Sequence, residues 1–90
     1  MKTALLSNAF ALVMWKLRTQ SGLTNRQLSD RSGLSREFIS MLENEKRKPS
    51  LETLFTLSRA FNIMPTDFIH LINVEANTVE NMLQTIEHDG

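Results

Sequence analysis

The chain has 90 residues, of which 41% are hydrophobic and 22% charged, with ten Lys plus Arg balanced by ten Asp plus Glu. That suits one small domain with a single core, and three Gly and two Pro exclude a disordered or linker-rich chain. The absence of Cys excludes disulfides, thiolate metal sites and cysteine nucleophiles. Zero net charge argues against a nucleic-acid binder, but only as an average. Residues 1–48 carry nine basic against four acidic side chains, and the remainder one against six, so +5 stands beside −5. A polarised surface is expected.

Lys2 followed by the apolar-rich stretch from Ala4 to Trp15 has the outline of a weak signal peptide. Ser7 and Asn8 interrupt it, no small-residue cleavage site follows, and Lys16 and Arg18 come at once. The run from Ala9 to Trp15 is far short of the ~20 residues of a membrane span. A buried helix and a cytoplasmic location are expected.

The first helix is expected from about Ser7 to Gln20, with Phe10, Met14 and Leu17 at helical spacing and Gly22 as its stop. Thr24-Asn25-Arg26-Gln27 reads as a capping box, opening a short helix that runs to about Ser32 and ends at Gly33. Ser35 caps a third, with Phe38, Ile39 and Leu42 on its apolar face, closed by the 44–49 stretch. Ser50 caps a fourth helix carrying Leu51, Leu54, Leu57 and Phe61. Pro65-Thr66-Asp67 starts a fifth, with Phe68, Leu71 and Ile72 expected to face inward. Val79, Met82, Leu83 and Ile86 form an i, i+3, i+4, i+7 stripe and predict a sixth helix over 75–88.

Only Gly33 and Leu34 separate the second helix from the Ser35 cap. Gly supplies the positive φ that a sharp inter-helix turn needs, and Leu34 can plug the corner. Two short helices joined this way form a helix-turn-helix, whose second helix can present its first turn outward.

The stretch from Leu17 through Leu71 resembles the lambda-repressor-like, Cro/Xre-type helix-turn-helix DNA-binding family. The resemblance is carried by Leu17-Arg18, Gly22-Leu23-Thr24, Leu28-Ser29 and the run from Gly33 to Ser40. It continues through Leu42-Glu43-Asn44, Lys46-Arg47-Lys48-Pro49-Ser50-Leu51 and Leu54. It implies an all-α, five-helix domain over 7–73, and the residues beyond it form a C-terminal helical extension, 74–90. It also implies a regulator, most often a repressor, with no catalytic activity and no cofactor.

The matched positions imply roles. Ser35, Arg36, Glu37, Ser40 and Met41 would face base edges: Arg36 forking onto guanine, Glu37 accepting from cytosine and Met41 lying against a thymine methyl. Asn25 stands where the family usually has Gln, a phosphate contact that also braces the recognition helix, and Asn is one methylene shorter. Arg26, Asn44, Lys46, Arg47 and Lys48 join it as phosphate contacts. Arg18 and Glu43 match a buried ion pair that makes Glu43 structural. Two positions depart from the pattern. Ser29 replaces a preferred Ala, so its hydroxyl is expected to bond back to the carbonyl four residues earlier. Glu45 replaces a common Gly, which requires positive φ at Asn44 or Glu45 and adds an acidic group to the phosphate loop.

Leu12, Val13 and Trp15 spread round the far side of the first helix. Leu12 and Trp15, with Val79, Met82, Leu83 and Ile86, suggest a dimer interface and hence a palindromic operator. His70 and His88 are eighteen residues apart with no metal-ligand spacing around them, and no phosphate loop, nucleophile elbow or carboxylate pair is present. Alternative readings are an antitoxin of the same fold with a toxin partner, a restriction–modification controller, and a protein-interaction module that does not bind DNA.

Overall fold

A computed structural model describes residues 3–88, and the side chains of 4–85. Five helices follow one another: α1 Thr3–Gln20, α2 Asn25–Ser32, α3 Arg36–Glu43, α4 Leu51–Ala60 and α5 Pro65–His88. The all-α, five-helix expectation holds.

Side-chain caps set three of the starts. Thr24 Oγ1 accepts the Gln27 N–H at 3.1 Å and the Gln27 side chain returns the bond to the Thr24 N–H at 2.8 Å. Ser35 and Ser50 accept from Phe38 and Thr53, each at 3.1 Å. Each such cap satisfies an otherwise orphaned donor, worth about 1 kcal/mol. Two boundaries differ from expectation. α1 begins four residues earlier, because Ala4, Leu5 and Leu6 are helix formers and Asn8 sits on the exposed side. The separate sixth helix is instead the second half of α5, since neither Gly nor Pro interrupts Ile72–Glu75.

The core lies where α1 crosses α5, closed by α2, α3 and α4. Phe68, fully buried, stacks on Phe10 at 5.9 Å between ring centroids and meets Phe61 at 6.1 Å. Met14, Leu28, Ile39, Leu42 and Leu57 complete it. Val13 is buried rather than on the far side of α1. Leu71 is exposed rather than inward, because Phe68, Ile72 and Ala76 take the side of α5 that the other helices cover. Leu51 is exposed at the start of α4, while Leu54 is partly buried and Leu57 and Phe61 are buried. Among the described residues, no helix is long and apolar enough to cross a membrane.

Candidate nucleic-acid interface

The α2–α3 corner is held by backbone and hydroxyl groups together. Gly33 adopts φ 78° and its N–H donates to the Ser29 carbonyl at 2.9 Å. The Ser29 hydroxyl donates forward to the Leu34 carbonyl at 2.6 Å, not back to residue 25 as expected. The turn brings that carbonyl within reach. The Leu34 N–H donates to the Ser32 hydroxyl at 3.1 Å, a contact signalled only by a Ser just before the turn Gly. With both polar groups of Leu34 paired, its partly buried side chain packs against the core.

That corner presents the first turn of α3. Ser35, Arg36, Glu37 and Ser40 are exposed together, and Met41 is half-buried beside them. Asn25 reaches across from α2: its Nδ2 donates to Ser40 Oγ at 3.2 Å and to the Arg36 carbonyl at 3.4 Å. Both amide hydrogens are thus directed at α3, and the shorter side chain still spans to it. Its Oδ1 is buried with no hydrogen-bond partner among the described residues, and can only accept. Donation toward a phosphate from this position therefore falls to the backbone N–H groups at the start of α2. Arg26 is exposed in the same first turn.

The loop after α3 folds back onto the helix. Glu45 takes the positive φ, 60°, and its N–H donates to the Leu42 carbonyl at 3.3 Å. The Lys46 N–H donates to the Met41 carbonyl at 2.8 Å, completing a Schellman closure. Asn44 Nδ2 donates to the Ser40 carbonyl at 2.8 Å, so this side chain also closes the helix end. The Glu45 carboxylate accepts from Asn8 Nδ2 at 3.3 Å. Lys46, Arg47 and Lys48 are all exposed, with the Arg47 guanidinium 5.8 Å from the centre of the Phe38 ring. No spacing in the sequence announces that stacking, because it joins a helix to a loop.

Behind α3, Arg18 of α1 forms a fork with Glu43. Its Nε donates to Oε2 at 2.7 Å and its Nη2 to Oε1 at 2.9 Å, while Nη1 donates to the Leu23 carbonyl at 3.0 Å. The hydrogen bond to Glu43 raises the guanidinium above its ordinary pKa, against the lowering effect of burial. Three points on α1, α3 and the loop before α2 are tied through one side chain.

The remaining candidate residues fall in two places. Leu12 is half-buried and Trp15 exposed, around a shallow hollow shared with Asn8, Glu43 and Glu45. α5 lies against the other side of α1, where Phe10 stacks on Phe68 and Lys16 Nζ donates to Glu75 Oε1 at 2.8 Å. On α5, Met82 and Leu83 are exposed and Val79 is half-buried. The Ile86 side chain lies outside the described residues. Trp15 and the end of α5 therefore do not form one surface. Among the described residues, no group of three or more His, Asp or Glu is placed to hold a metal ion.

Five helices with a two-residue corner, and an exposed second helix followed by a basic loop, define a helix-turn-helix protein. The chain belongs to the helix-turn-helix family, whose model matches residues 16–69. It is 33% identical over 54 residues to an uncharacterised HTH-type transcriptional regulator, y4dJ, of Sinorhizobium fredii, covering 60% of this chain and 70% of that protein. Its fold is similar to that of the restriction–modification controller C.AhdI from Aeromonas hydrophila (31% identity, TM-score 0.66, 69% of this chain and 94% of that one). It is also similar to a variant of the controller C.Esp1396I (25% identity, TM-score 0.74, 80% and 96%). C.Esp1396I has been solved as a tetramer on its 35 base-pair operator, and that structure shares this fold at 22% identity and TM-score 0.75, over 84% and 97% of the two chains.

Proposed function

We propose that the protein is a sequence-specific regulator of transcription that reads double-stranded DNA with α3. The observation that carries this is the joint exposure of Arg36 and Ser40 on a helix braced by Asn25 and followed by Lys46, Arg47 and Lys48. Arg36 forks onto the O6 and N7 of a guanine. Ser35, Glu37 and Met41 complete the base-facing set, and Ser40 donates its hydroxyl hydrogen while its oxygen holds Asn25. The start of α2, with Asn25 and Arg26, and the loop from Asn44 to Lys48 bind phosphates on either side. Two copies sit on a palindromic operator and, by occupying a promoter, repress it. The protein works in the cytoplasm, without a cofactor and without catalysing a reaction.

The likeness to C.AhdI and C.Esp1396I favours one narrower reading, a controller of a restriction–modification operon. Genes for an endonuclease and a methyltransferase beside this one are expected on that reading, and a toxin gene in their place points to an antitoxin. The main reading is tested by selecting binding sites from random duplexes at low salt. A recovered palindrome is expected, and recovery of no preferred sequence at all refutes it in favour of a protein-interaction module.

A further inference from the structure

A hollow of about 650 Å³ opens between the start of α1, the chain just before α4, and α5. Its depth is apolar: Phe10 and Ile72, 4% and 6% exposed, belong to the core, and Pro49 and Leu54 line it with them. Leu6 and Ile69 also line it, each nearly half exposed. Along α5 it runs from Thr66 to Asn73, about 10 Å at the helical rise of ~1.5 Å per residue. An apolar hollow of this volume with a few polar groups has the size and lining of a small-molecule site, and is far larger than a packing defect.

The polar groups give the hollow its charge. Among the described residues no acidic side chain lines it, whereas Lys48, His70 and Asn73 all do. Lys48 brings an ammonium, His70 at least one N–H in either charge state, and Asn73 an amide N–H pair. Among the described residues, no ion pair or hydrogen bond engages these three side chains. A second hollow of about 340 Å³ shares Ser7, Phe10, Lys48 and Pro49 with the first and adds Glu45 and Arg47, whose charges oppose each other. The Glu45 carboxylate is already held there by Asn8 Nδ2 at 3.3 Å. An apolar trough with an unpaired cation and unpaired donors on its walls is complementary to a ligand with a greasy body and one negative end.

We infer that the hollow binds an apolar monocarboxylate, with its carboxylate paired to Lys48 and its body lying on Phe10 and Ile72. Octanoate, extended, is about as long as the stretch of α5 that lines the site. The regulatory meaning of the site rests on the DNA reading above. Lys48 belongs to the loop proposed to hold phosphates, so a carboxylate bound there takes the charge that a phosphate would use. The acid then acts as an inducer that loosens the protein from its operator.

Calorimetric titration of the full chain with octanoate, without DNA, should saturate one site per chain with a Kd of about 1 mM or tighter. Each methylene added between hexanoate and octanoate should tighten binding about fourfold. Naphthoate serves as the ring-shaped acid, and the tighter of the two tells whether the site prefers a chain or a ring. Lys48→Met keeps the apolar stem without the ammonium and should raise the Kd at least about tenfold. Ile69→Glu should abolish saturation, while Leu83→Glu, equally exposed on α5 but outside the hollow, should leave it unchanged. Octylammonium, the same chain with the opposite charge, should not bind. Saturating octanoate should weaken all duplexes alike, as Lys48→Met does. The proposal is overturned if neither acid saturates, if Lys48→Met binds octanoate as the wild type does, or if octylammonium binds as tightly. Octanoate affinity that falls as the chain is concentrated places a second copy in the hollow and overturns it too. A chain that selects a duplex but takes neither acid refutes this site alone. A chain that takes octanoate but selects no duplex refutes the regulator reading alone.

Discussion

Arg18 and Glu43, 25 residues apart in the chain, meet in a two-pronged contact of 2.7 and 2.9 Å, with 16% and 10% of their side chains exposed. This contact fixes where the end of α3 lies against α1. It makes Glu43 part of the scaffold that orients α3. Removing one partner strands the other, so Arg18→Ala and Glu43→Leu should each cost about 3–5 kcal/mol of stability. Replacing both by apolar residues of similar volume should cost much less. Urea denaturation of the two single variants and the double one checks this, and a double variant as unstable as the sum of the singles contradicts it.

Glu45 holds a left-handed conformation, φ 60°, that an L side chain adopts at a cost of about 1–2 kcal/mol. Glu45→Gly should therefore raise the denaturation midpoint by the equivalent of about 1 kcal/mol. Among the described residues, the only side-chain bond it gives up is the 3.3 Å contact from Asn8 at an exposed site. The same change removes a negative charge from the loop proposed to lie on phosphates, so affinity for duplex DNA should rise at low salt. Stability gained without tighter binding would separate the two effects and place Glu45 away from the DNA.

The corner between α2 and α3 gives a second backbone test. At Gly33 an added Cβ meets nothing within 4 Å, so Gly33→Ala is penalised by its φ of +78° alone, by about 1–2 kcal/mol. Ser29→Ala removes the 2.6 Å donor to the Leu34 carbonyl and should cost about 1 kcal/mol. Hydrogen exchange should show faster opening of α3 in both variants. Equal stability for Gly33→Ala and the wild type would contradict the account of the turn.

Base reading and phosphate anchoring are separable by salt titration. Arg36→Ala should change which duplex is preferred, with a loss of about 1–3 kcal/mol on the best site. Lys46→Ala should weaken all duplexes alike and lower the salt slope by about one. If the two variants behave the same way across a panel of sites, the division of roles between α3 and its loop is wrong.

Some features of this molecule were legible in 90 letters because they depend on neighbours a few positions apart. The Thr24–Gln27 capping box, the Ser35 and Ser50 caps and the Gly33 turn are four-residue relationships, and local hydrogen bonding decides them. The basic loop beside an acidic second half was also plain once the neutral total was divided. The Arg18–Glu43 contact was reached through family resemblance, since no local rule links positions 25 apart.

Tertiary structure decided the rest. α1 and α5 are apolar on more than one side, so their periodicity does not choose which side is covered. Crossing at Phe10 and Phe68 turns Val13 inward and leaves Leu71, Val74 and Met82 on the outside. The destination of the Ser29 hydroxyl and the choice of Glu45 over Asn44 for positive φ depend on where the chain goes after each helix. The sequence by itself determined α2, α3 and α4 and the corner that joins the first two. Only packing, which depends on the directions of all five helices at once, decided which apolar surface remains for a partner.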